Sequence, residues 1–488
     1  MMSDRILFVA PAKLNPVDAD GRPVQNVREN ISLPALIILG SLRGHGYDVD
    51  FIDLSADGNL QTPVTRNVHR FGLPDEFVVE KISETKPLAL LTTSMFTTEQ
   101  QMIDDLTAKV RAAFPKLPII VGGIHASLKP DWILESGNVD VVVMGEGELA
   151  ILELIELIKE GKDDYERIGG LAYRRNGAVR ITPPRSLIGD LTRLQFSFDD
   201  VLMRNGSYRY VEPTSKRTAL YNHLTQLNWD RCFSLYYSRG CPLHCDYCAS
   251  SEKDGLKVRH MGGERMFEDF RKLHRDYKVS IFYNQADTFC GNQRDIEFLH
   301  LVREYRKQRE DFVISNPNAF YVRIFFPASE GYEMNEELLD LLADSGINVV
   351  TLAVETFSQK YNKKINFERI PPSRIGELLT AIHQRGMKTG IYMMYAFPEQ
   401  DSEELSLDEK IVESLPSLDR VDWQNCMVFP GTQYYRRGLA EGWFTNRSYR
   451  QALKKGYFFH ALPPEFNFSR IPMSDIKAFR ERNHSDFQ

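Results

Sequence analysis

Short apolar runs alternate with amphipathic segments through the first 150 residues of the chain. The runs predict five strands, and the longer segments, which place apolar residues on one face, predict helices between them. Strands that are separated by helices pair in parallel, so the pattern predicts an α/β domain with a doubly wound sheet. The predicted strands are Arg5–Ala10, Tyr47–Leu54, Pro87–Thr93, Pro118–Val121 and Val139–Met144, and the predicted helices are Pro34–Arg43, Leu149–Glu160 and Glu99–Phe114, the last with Thr98 as its cap.

The same alternation occurs six times in residues 231–432 and predicts a second α/β domain. Six βα units form a partial TIM-type barrel, in which the active site lies at the carboxyl ends of the strands. The predicted strands are Cys232–Ser238, Val279–Gln285, Ala319–Phe326, Ile347–Val354, Met387–Tyr395 and Arg420–Phe429. The predicted helices are Phe267–His274, Asp295–Lys307, Asn335–Ser345, Pro372–Arg385 and Glu403–Ser414.

Two stretches lie outside these alternating patterns. Residues 151–230 are predicted as a connecting segment that contains a hairpin with an Asn176-Gly177 turn. Residues 433–488 are predicted as a short C-terminal extension. The predicted domains are therefore 1–150, 151–230, 231–432 and 433–488.

The composition is that of a globular chain with several domains. Of its 488 residues, 42% are hydrophobic and 26% are charged, so the chain can bury a large core. The formal net charge of −7 argues against nucleic acid as a partner. No apolar run approaches the ~20 residues of a membrane helix, and Ile6–Ala10 is too short for a signal peptide. We therefore expect no membrane partner and a cytoplasmic protein.

Small and hydroxylated residues follow several predicted strands of the first domain. Ligands of parallel sheets bind at the carboxyl ends of the strands, and small side chains let a bulky ligand approach the backbone. Ordinary glycine turns without a ligand are the alternative that these residues leave open. The candidates for ligand contact are Ser94, Thr97, Thr98, Gly122 and Gly123.

Three of the six cysteines, Cys241, Cys245 and Cys248, lie within eight residues in the spacing C-x3-C-x2-C. Three thiolates can hold three irons of a 4Fe–4S cluster and leave the fourth iron open to a small molecule. A structural zinc site with His244 or Cys232 as the fourth ligand is the alternative, because such sites are common. The cysteines alone leave both interpretations open.

The motifs around these cysteines resemble those of cobalamin-dependent radical S-adenosylmethionine (SAM) enzymes of the class B methyltransferase type. An aromatic residue, Tyr247, precedes the third cysteine, as is typical of the radical SAM superfamily. Further landmarks of the family follow in order, and they are Asp287-Thr288-Phe289, Val354-Glu355-Thr356, Phe397-Pro398-Glu399 and Phe429-Pro430-Gly431-Thr432. The third of these departs from the family's Leu-Pro-Gly-Glu pattern, since it lacks the glycine and is one residue shorter.

The first domain resembles the Rossmann-like, flavodoxin-like cobalamin-binding domain that precedes many radical SAM barrels. The resemblance rests on Val121–Ala126 and Val139–Glu148. The best-known cobalamin domains carry Asp-x-His-x-x-Gly, whose His binds cobalt from below, but the corresponding loop here, Pro11–Asn15, has no His. The resemblance therefore implies a bound cobalamin without a His lower ligand.

The resemblance also implies roles for the individual candidates. Three cysteines would bind the 4Fe–4S cluster, and they are Cys241, Cys245 and Cys248. The residues implied for SAM binding are Tyr247, Asp287, Arg323 and Glu355. The residues implied for cobalamin binding are Ser94, Thr97, Thr98, Gly122, Gly123 and His125. No catalytic acid or base is implied, because hydrogen abstraction by a radical requires none.

The activity that the resemblance implies is methylation of an unactivated carbon in a small molecule of the natural-product type. A 5′-deoxyadenosyl radical from SAM would abstract the hydrogen, methylcobalamin would supply the methyl group, and a flavodoxin or ferredoxin would donate electrons. One alternative is a radical SAM enzyme without methyl transfer, which catalyses cyclisation, ring contraction or dehydration. A second alternative, from another class, is a non-catalytic iron–sulfur or zinc-binding module.

Overall fold

The computed structural model describes residues 5–17, 21, 33–55, 60–66, 68–198, 232–362, 370–454 and 462–483. The chain divides into two compact units. The first comprises Met1–Tyr208 with the short stretches Glu252–Asp254 and Leu453–Gly456, and the second comprises the rest. In the described residues no helix combines the length and the apolar character that crossing a membrane requires.

The first unit is built on a seven-stranded sheet with the order β10-β9-β8-β7-β6-β1-β3. The strands of the unit are β1 (Arg5–Ala10), β2 (Lys13–Pro16), β3 (Asp48–Asp53), β4 (Gln61–Thr65), β5 (Val68–Phe71), β6 (Ala89–Thr93), β7 (Ile119–Gly122), β8 (Val141–Val143), β9 (Leu171–Arg175) and β10 (Ala178–Ile181). The five predicted strands correspond to β1, β3, β6, β7 and β8, and all of them pair in parallel. Counted among themselves, they have the flavodoxin-like order 2-1-3-4-5, whose switch point lies between β1 and β6.

The predicted α/β layering of this unit is confirmed, with one local correction. The helices are Leu33–Gly44, Glu76–Thr85, Gln100–Ala113, Ile124–Leu128, Pro130–Glu135 and Gly147–Lys159. The prediction of Thr98 as a helix cap is wrong, because a 3-10 turn over Thr97–Glu99 precedes the helix. The carboxylate of Glu99 instead accepts the backbone N–H groups of Met95 and Phe96, at 2.9 and 3.2 Å.

The hairpin predicted at Asn176-Gly177 is present and extends the sheet. Both turn residues have positive φ, 53° and 78°, as a tight hairpin turn requires. The strand β9 pairs antiparallel with β8, so part of the predicted connecting segment belongs to the first unit's sheet. A separate small sheet has the order β2-β5-β4. The bounds of the four predicted domains stay predictions.

The second unit contains the predicted open barrel. Its strands are β11 (Cys232–Leu235), β12 (Ser238–Arg239), β13 (Arg259–His260), β14 (Ile281–Asn284), β15 (Val313–Ser315), β16 (Phe320–Tyr321), β17 (Val349–Glu355), β18 (Lys388–Tyr395) and β19 (Arg420–Asn425). Two parallel sheets, β11-β14-β15 and β16-β17-β18-β19, are joined by a parallel bridge between Ile314 and Ile347. The helices that follow the barrel strands are Gly263–Tyr277, Gln293–Arg306, Glu336–Asp344, Pro372–Gln384 and Ser402–Ser414, and the C-terminal extension adds Gln433–Ala440, Asn446–Lys454 and Met473–Asn483.

The third barrel strand was predicted in the wrong place. It is β15, and of the predicted strand Ala319–Phe326 only β16 is a strand, which pairs in parallel with β17. Arg323 lies in a 3-10 turn over Val322–Phe325. The true strand has only three residues and is soon followed by Pro317, which cannot donate to a ladder. The apolar run after it buries residues at the spacing of a helical turn rather than alternately, and periodicity cannot separate these cases in so short a run.

Candidate functional site

The carboxyl ends of β6 and β7 bring Ser94, Gly122 and Gly123 together. The Ser94 N–H donates to the Gly122 carbonyl at 2.8 Å, and the His125 N–H donates to the Ser94 carbonyl at 3.1 Å. Gly123 has a φ of 103°, and a Cβ there would lie 2.4 Å from the Ser94 carbonyl oxygen. Only glycine fits this position, because the clash is with backbone and the φ is one that other residues rarely adopt.

Two hydroxyl groups at this edge are buried without a hydrogen-bond partner in the described part of the chain. They are Ser94 Oγ and Thr92 Oγ1. A buried polar group without a partner costs free energy, so such groups are rare and mark a place where a ligand atom or water is expected. Thr97 is buried in the following turn and Thr98 is half-buried. This edge therefore suits a ligand that offers polar atoms.

Removal of the Ser94 hydroxyl is expected to have opposite effects on folding and on ligand binding. Ser94→Ala removes a buried group that has no protein partner, so the melting temperature should stay unchanged or rise. A ligand that hydrogen-bonds this hydroxyl should bind about five- to tenfold more weakly, which corresponds to one neutral hydrogen bond. Thermal melts and equilibrium titration with hydroxocobalamin measure the two effects. A lower melting temperature with unchanged titration would contradict this prediction.

His125 has a structural partner within the first unit. Its side chain is 1% exposed, and its Nε2 lies 2.7 Å from the Gln100 Oε1 atom. Its ring also packs edge-on against Trp132, with the ring centroids 5.8 Å apart. These contacts fix the helix that follows Gly123, and the contact predicted between His125 and cobalamin stays a prediction.

The cysteine loop follows the first barrel strands in a tightly packed conformation. Gly240 has a φ of 97°, and a Cβ there would lie 2.3 Å from the Lys257 carbonyl oxygen. The Cys241 N–H donates to the Gly255 carbonyl at 3.1 Å, and the Cys248 N–H donates to the Cys245 carbonyl at 3.1 Å. The backbone therefore holds the three cysteines in one compact loop.

The thiols of Cys241 and Cys245 are buried, that of Cys248 is partly buried, and the three affect one another electrostatically. Burial, and then the charges of Asp287 and Cys248, raise the pKa of Cys241 to about 12. Burial, and then Cys248, Glu355 and Cys241, raise the pKa of Cys245. Three thiolates this close repel one another unless cations lie among them, and metal ions bind the thiolate form. The described residues contain no three His, Cys, Asp or Glu side chains grouped to hold a single metal ion.

Glu355 and Tyr247 meet beside this loop. Glu355 ends β17 with a φ of 66°. Burial raises its pKa to about 7, although a hydrogen bond from the Tyr247 side chain lowers it. The Tyr247 ring packs edge-on against Phe397, with centroids 6.4 Å apart. The structure therefore brings together the aromatic residue of the cysteine motif and two of the later landmarks.

The other two candidates for SAM binding differ in their surroundings. The Ser250 hydroxyl donates to Asp287 Oδ1 at 3.2 Å, and Asp287 bears on the pKa of Cys241 and of Cys248. The Arg323 guanidinium lies 4.8 Å from the centroid of the Tyr332 ring. Asp287 therefore lies at the cysteine loop, whereas contact of Arg323 with SAM stays a prediction.

Sequence reasoning missed two features of this end of the barrel. Cys426, which directly follows β19, reads as an ordinary buried thiol, yet Glu355 and Asp246 add to the effect of burial in raising its pKa. Two non-glycine residues at the carboxyl ends of barrel strands have positive φ, and they are Glu355, the last residue of β17, and Ala396, which directly follows β18. Such strain collects at functional sites. No sequence signal identifies these residues, because residues of these types usually have negative φ.

Two family models match the chain in the order of its two units. The model for the B12 binding domain matches residues 28–155, and the model for the Radical SAM superfamily matches residues 235–411. The chain belongs to the cobalamin-dependent radical SAM enzymes. The resemblance inferred from the motifs is confirmed. The two domains of such an enzyme imply a 4Fe–4S cluster, SAM and cobalamin, which are the predicted cofactors.

Known relatives of this cobalamin-dependent radical SAM enzyme include methyltransferases. The chain is 24% identical over 444 residues to cytidylyl-2-hydroxyethylphosphonate methyltransferase of Streptomyces wedmorensis, an alignment that covers 86% of this chain and 80% of that protein. It is 27% identical over 258 residues to anaerobic magnesium-protoporphyrin IX monomethyl ester cyclase of Synechocystis, which covers 52% of this chain and 44% of that protein. The fold matches that of the radical SAM methyltransferase TsrM from Kitasatospora setae, with a TM-score of 0.65, 18% identity and coverage of 90% of this chain and 76% of that chain.

Proposed function

We propose that this enzyme methylates an unactivated carbon of a small molecule, with SAM and cobalamin as cofactors. One observation carries the proposal. A three-cysteine loop beside Glu355 and a sheet edge with buried hydroxyls that have no partner among the described residues occur in one chain, each within the domain that the corresponding family model matches. When bound, the cluster supplies the electron that cleaves SAM, and cobalamin carries the methyl group.

The residues at the carboxyl end of the barrel fit a cluster and SAM. Cys241, Cys245 and Cys248 would hold the cluster, because the three lie in one compact loop and affect one another electrostatically. Glu355 and Tyr247 would orient SAM beside it, since a partly buried carboxylate is a strong acceptor for amino or hydroxyl groups. Asp287 and Arg323 would provide further contacts with SAM. The buried surroundings also exclude water from the reacting groups.

The residues at the edge of the first sheet fit cobalamin. Ser94 and Thr97 would offer hydroxyl groups, and Thr98 would contribute a third. Gly122 and Gly123 would let the ligand approach the backbone, and the buried ring of His125 would keep the helix after Gly123 in place. Since the loop Pro11–Asn15 contains no His, we propose that none binds the cobalt from below.

The substrate is proposed to be a small molecule of the natural-product type, and the electrons to come from a flavodoxin or ferredoxin. Nucleic acid and membranes are not proposed as partners, in keeping with the net charge of −7 and the absence of a long apolar run. Abstraction of hydrogen by a radical needs no general base. The chain's own contribution is therefore to bind and orient the cofactors and the substrate and to exclude water from them.

A radical reaction without methyl transfer is the second candidate, and the cyclase relative supports it. That alignment covers 44% of the cyclase, whereas the methyltransferase alignment covers 80% of the methyltransferase. The longer shared length favours methyl transfer.

The products formed from SAM separate the two candidates without knowledge of the substrate. The reconstituted enzyme is incubated anaerobically with SAM and a reductant, with and without cobalamin. Methyl transfer predicts 5′-deoxyadenosine together with S-adenosylhomocysteine whose formation depends on cobalamin. Deoxyadenosine alone under both conditions would support the second candidate and contradict the first.

Glu355→Gln is expected to weaken SAM binding without loss of the cluster. The amide keeps the shape and can still accept the hydrogen bond from Tyr247, but it removes the negative charge. We expect SAM to bind about tenfold more weakly, as for loss of one charge-assisted hydrogen bond. Glu409→Gln is the control, because Glu409 pairs with Arg482 of the C-terminal helix Met473–Asn483. Equal affinities for SAM in all three proteins, by equilibrium titration, would contradict the role of Glu355.

A further inference from the structure

Glu355 lies at the centre of a strained turn. The Thr356 N–H donates to the Val354 carbonyl at 2.8 Å, two residues back, and Glu355 has a φ of 66°. This combination is the γ-turn with positive φ, which is rare and strained. The register between β17 and β18 also shifts between Ala353 and Glu355. Strain of this kind persists only where the surroundings hold it.

One side chain, Asp408, binds the two residues that follow Glu355. It projects from the helix Ser402–Ser414 and has no exposed surface. Its Oδ2 accepts the Thr356 hydroxyl at 2.8 Å, and its Oδ1 accepts the Phe357 N–H at 2.7 Å. Both carboxylate oxygens therefore fix the chain immediately after the turn.

The Thr356 hydroxyl adds further hydrogen bonds that hold the residues after the turn in place. The Thr356 hydroxyl donates to Asp408 and at the same time accepts the Ser358 N–H at 3.0 Å. A carboxylate suits this site because it offers acceptors only, whereas an amide would direct one N–H pair toward a donor. Asp408 and the residues after Glu355 thus form a closed hydrogen-bonded unit.

The cost of this arrangement to folding argues for a functional reason. Burial raises the pKa of Asp408 to about 7, and the charged neighbour that bears on it is Glu404, a second acid that raises it further. A buried carboxylate without a compensating cation is unfavourable for stability. The hydrogen bonds to Phe357 and Thr356 act in the opposite direction.

We propose that Asp408 is a positioning residue that holds the Glu355 turn in the conformation that binds SAM. The proposal rests on the role proposed for Glu355. It assigns a function to a residue 53 positions further along the chain, on the outer layer of the barrel.

Asp408→Ala tests the proposal, with Asp419→Ala as a matched control. Asp419 Oδ2 likewise accepts one backbone N–H and one hydroxyl, both from Thr389, at 2.8 and 3.2 Å. Thr389 is near the start of β18, at the opposite end of the strands from Glu355. The control therefore removes similar hydrogen bonds away from the site, together with an ion pair between Asp419 and Lys388 at 3.1 Å. Asp408→Asn serves as a second variant, because it keeps one acceptor and the volume of the side chain.

Two measurements are made on the full-length reconstituted enzyme. Hydrogen exchange of the peptide around Phe357 is expected to accelerate in Asp408→Ala and less in Asp408→Asn. Equilibrium titration with SAM is expected to show affinity about tenfold lower for Asp408→Ala and a smaller loss for Asp408→Asn. Asp419→Ala should accelerate exchange around Thr389 and leave SAM affinity unchanged. Iron content should be the same in every variant.

A double variant separates positioning from general damage. If Asp408 acts through Glu355, Asp408→Ala should add nothing to the loss of SAM affinity already caused by Glu355→Gln. Independent, additive losses would overturn the inference, and so would an equal loss of affinity in Asp419→Ala. Weaker binding in Glu355→Gln with normal binding in Asp408→Ala would overturn the inference and leave the proposed function standing. Normal binding in Glu355→Gln would remove the proposed role of Glu355 and the inference together.

Discussion

Cys245→Ala is expected to reduce the formation of 5′-deoxyadenosine to background. The Cys245 thiol is buried, and both of the other cysteines in the loop contribute to raising its pKa. A cluster held by three thiolates loses one of its ligands, and alanine offers no replacement. The variant should therefore contain little iron after anaerobic reconstitution, and SAM should remain intact in the presence of reductant. Iron analysis and chromatography of the SAM products measure both effects.

Cys290→Ala is the matched control for this prediction. Cys290 is also buried, and its backbone N–H donates to Asp295 at 3.1 Å, a bond that alanine retains. This variant should keep its iron and its activity. If Cys245→Ala formed deoxyadenosine at the same rate as the unmodified enzyme, the radical mechanism would be contradicted. Loss of iron in both variants would show that the effect is not specific to the cysteine loop.

Gly123→Ala is expected to abolish cobalamin binding. A Cβ at this position would lie 2.4 Å from the Ser94 carbonyl oxygen and 2.8 Å from Thr93 Oγ1, and the φ is 103°. The backbone of Ser94 would have to move, and with it the buried hydroxyl that is proposed to contact the ligand. Overpacking of this kind costs about 1–3 kcal/mol of the free energy of unfolding. Cobalt content after reconstitution and desalting measures the effect on binding.

Gly177→Ala separates backbone strain from the steric clash. Gly177 has a φ of 78° in the hairpin turn, but a Cβ there would meet no atom within 4 Å. We expect a stability loss of about 1 kcal/mol, as for alanine placed at a positive φ, with normal cobalt content. Full cobalt content in Gly123→Ala would contradict the location proposed for cobalamin.

The parallel strands of both domains were predictable, because local patterns encode them. Strands such as β1 and β18 contain continuous apolar runs of five residues, and the helices between strands show one apolar face. The exception is β15, whose three residues are too few for a pattern. The longer apolar run nearby, Ala319–Phe326, predicts a strand that contains Arg323, whereas Arg323 lies in a 3-10 turn.

Candidate cofactor-binding residues were predictable where they lie close together in the sequence as a motif. The cysteines lie within eight residues and were found directly, whereas the support of Glu355 by Asp408 was not. Those two residues are 53 positions apart in the sequence and belong to different elements. The positive φ of Glu355 and the missing partner of the Ser94 hydroxyl are likewise properties of the folded chain. No local sequence pattern carries them.

Metal analysis of the reconstituted enzyme tests the central claim most directly. The protein is purified anaerobically, supplied with iron, sulfide and hydroxocobalamin, and desalted before its spectrum and its iron, cobalt and zinc contents are measured. The proposed function predicts about four irons and one cobalt per chain. Zinc in place of iron, with no cobalt retained, would contradict it.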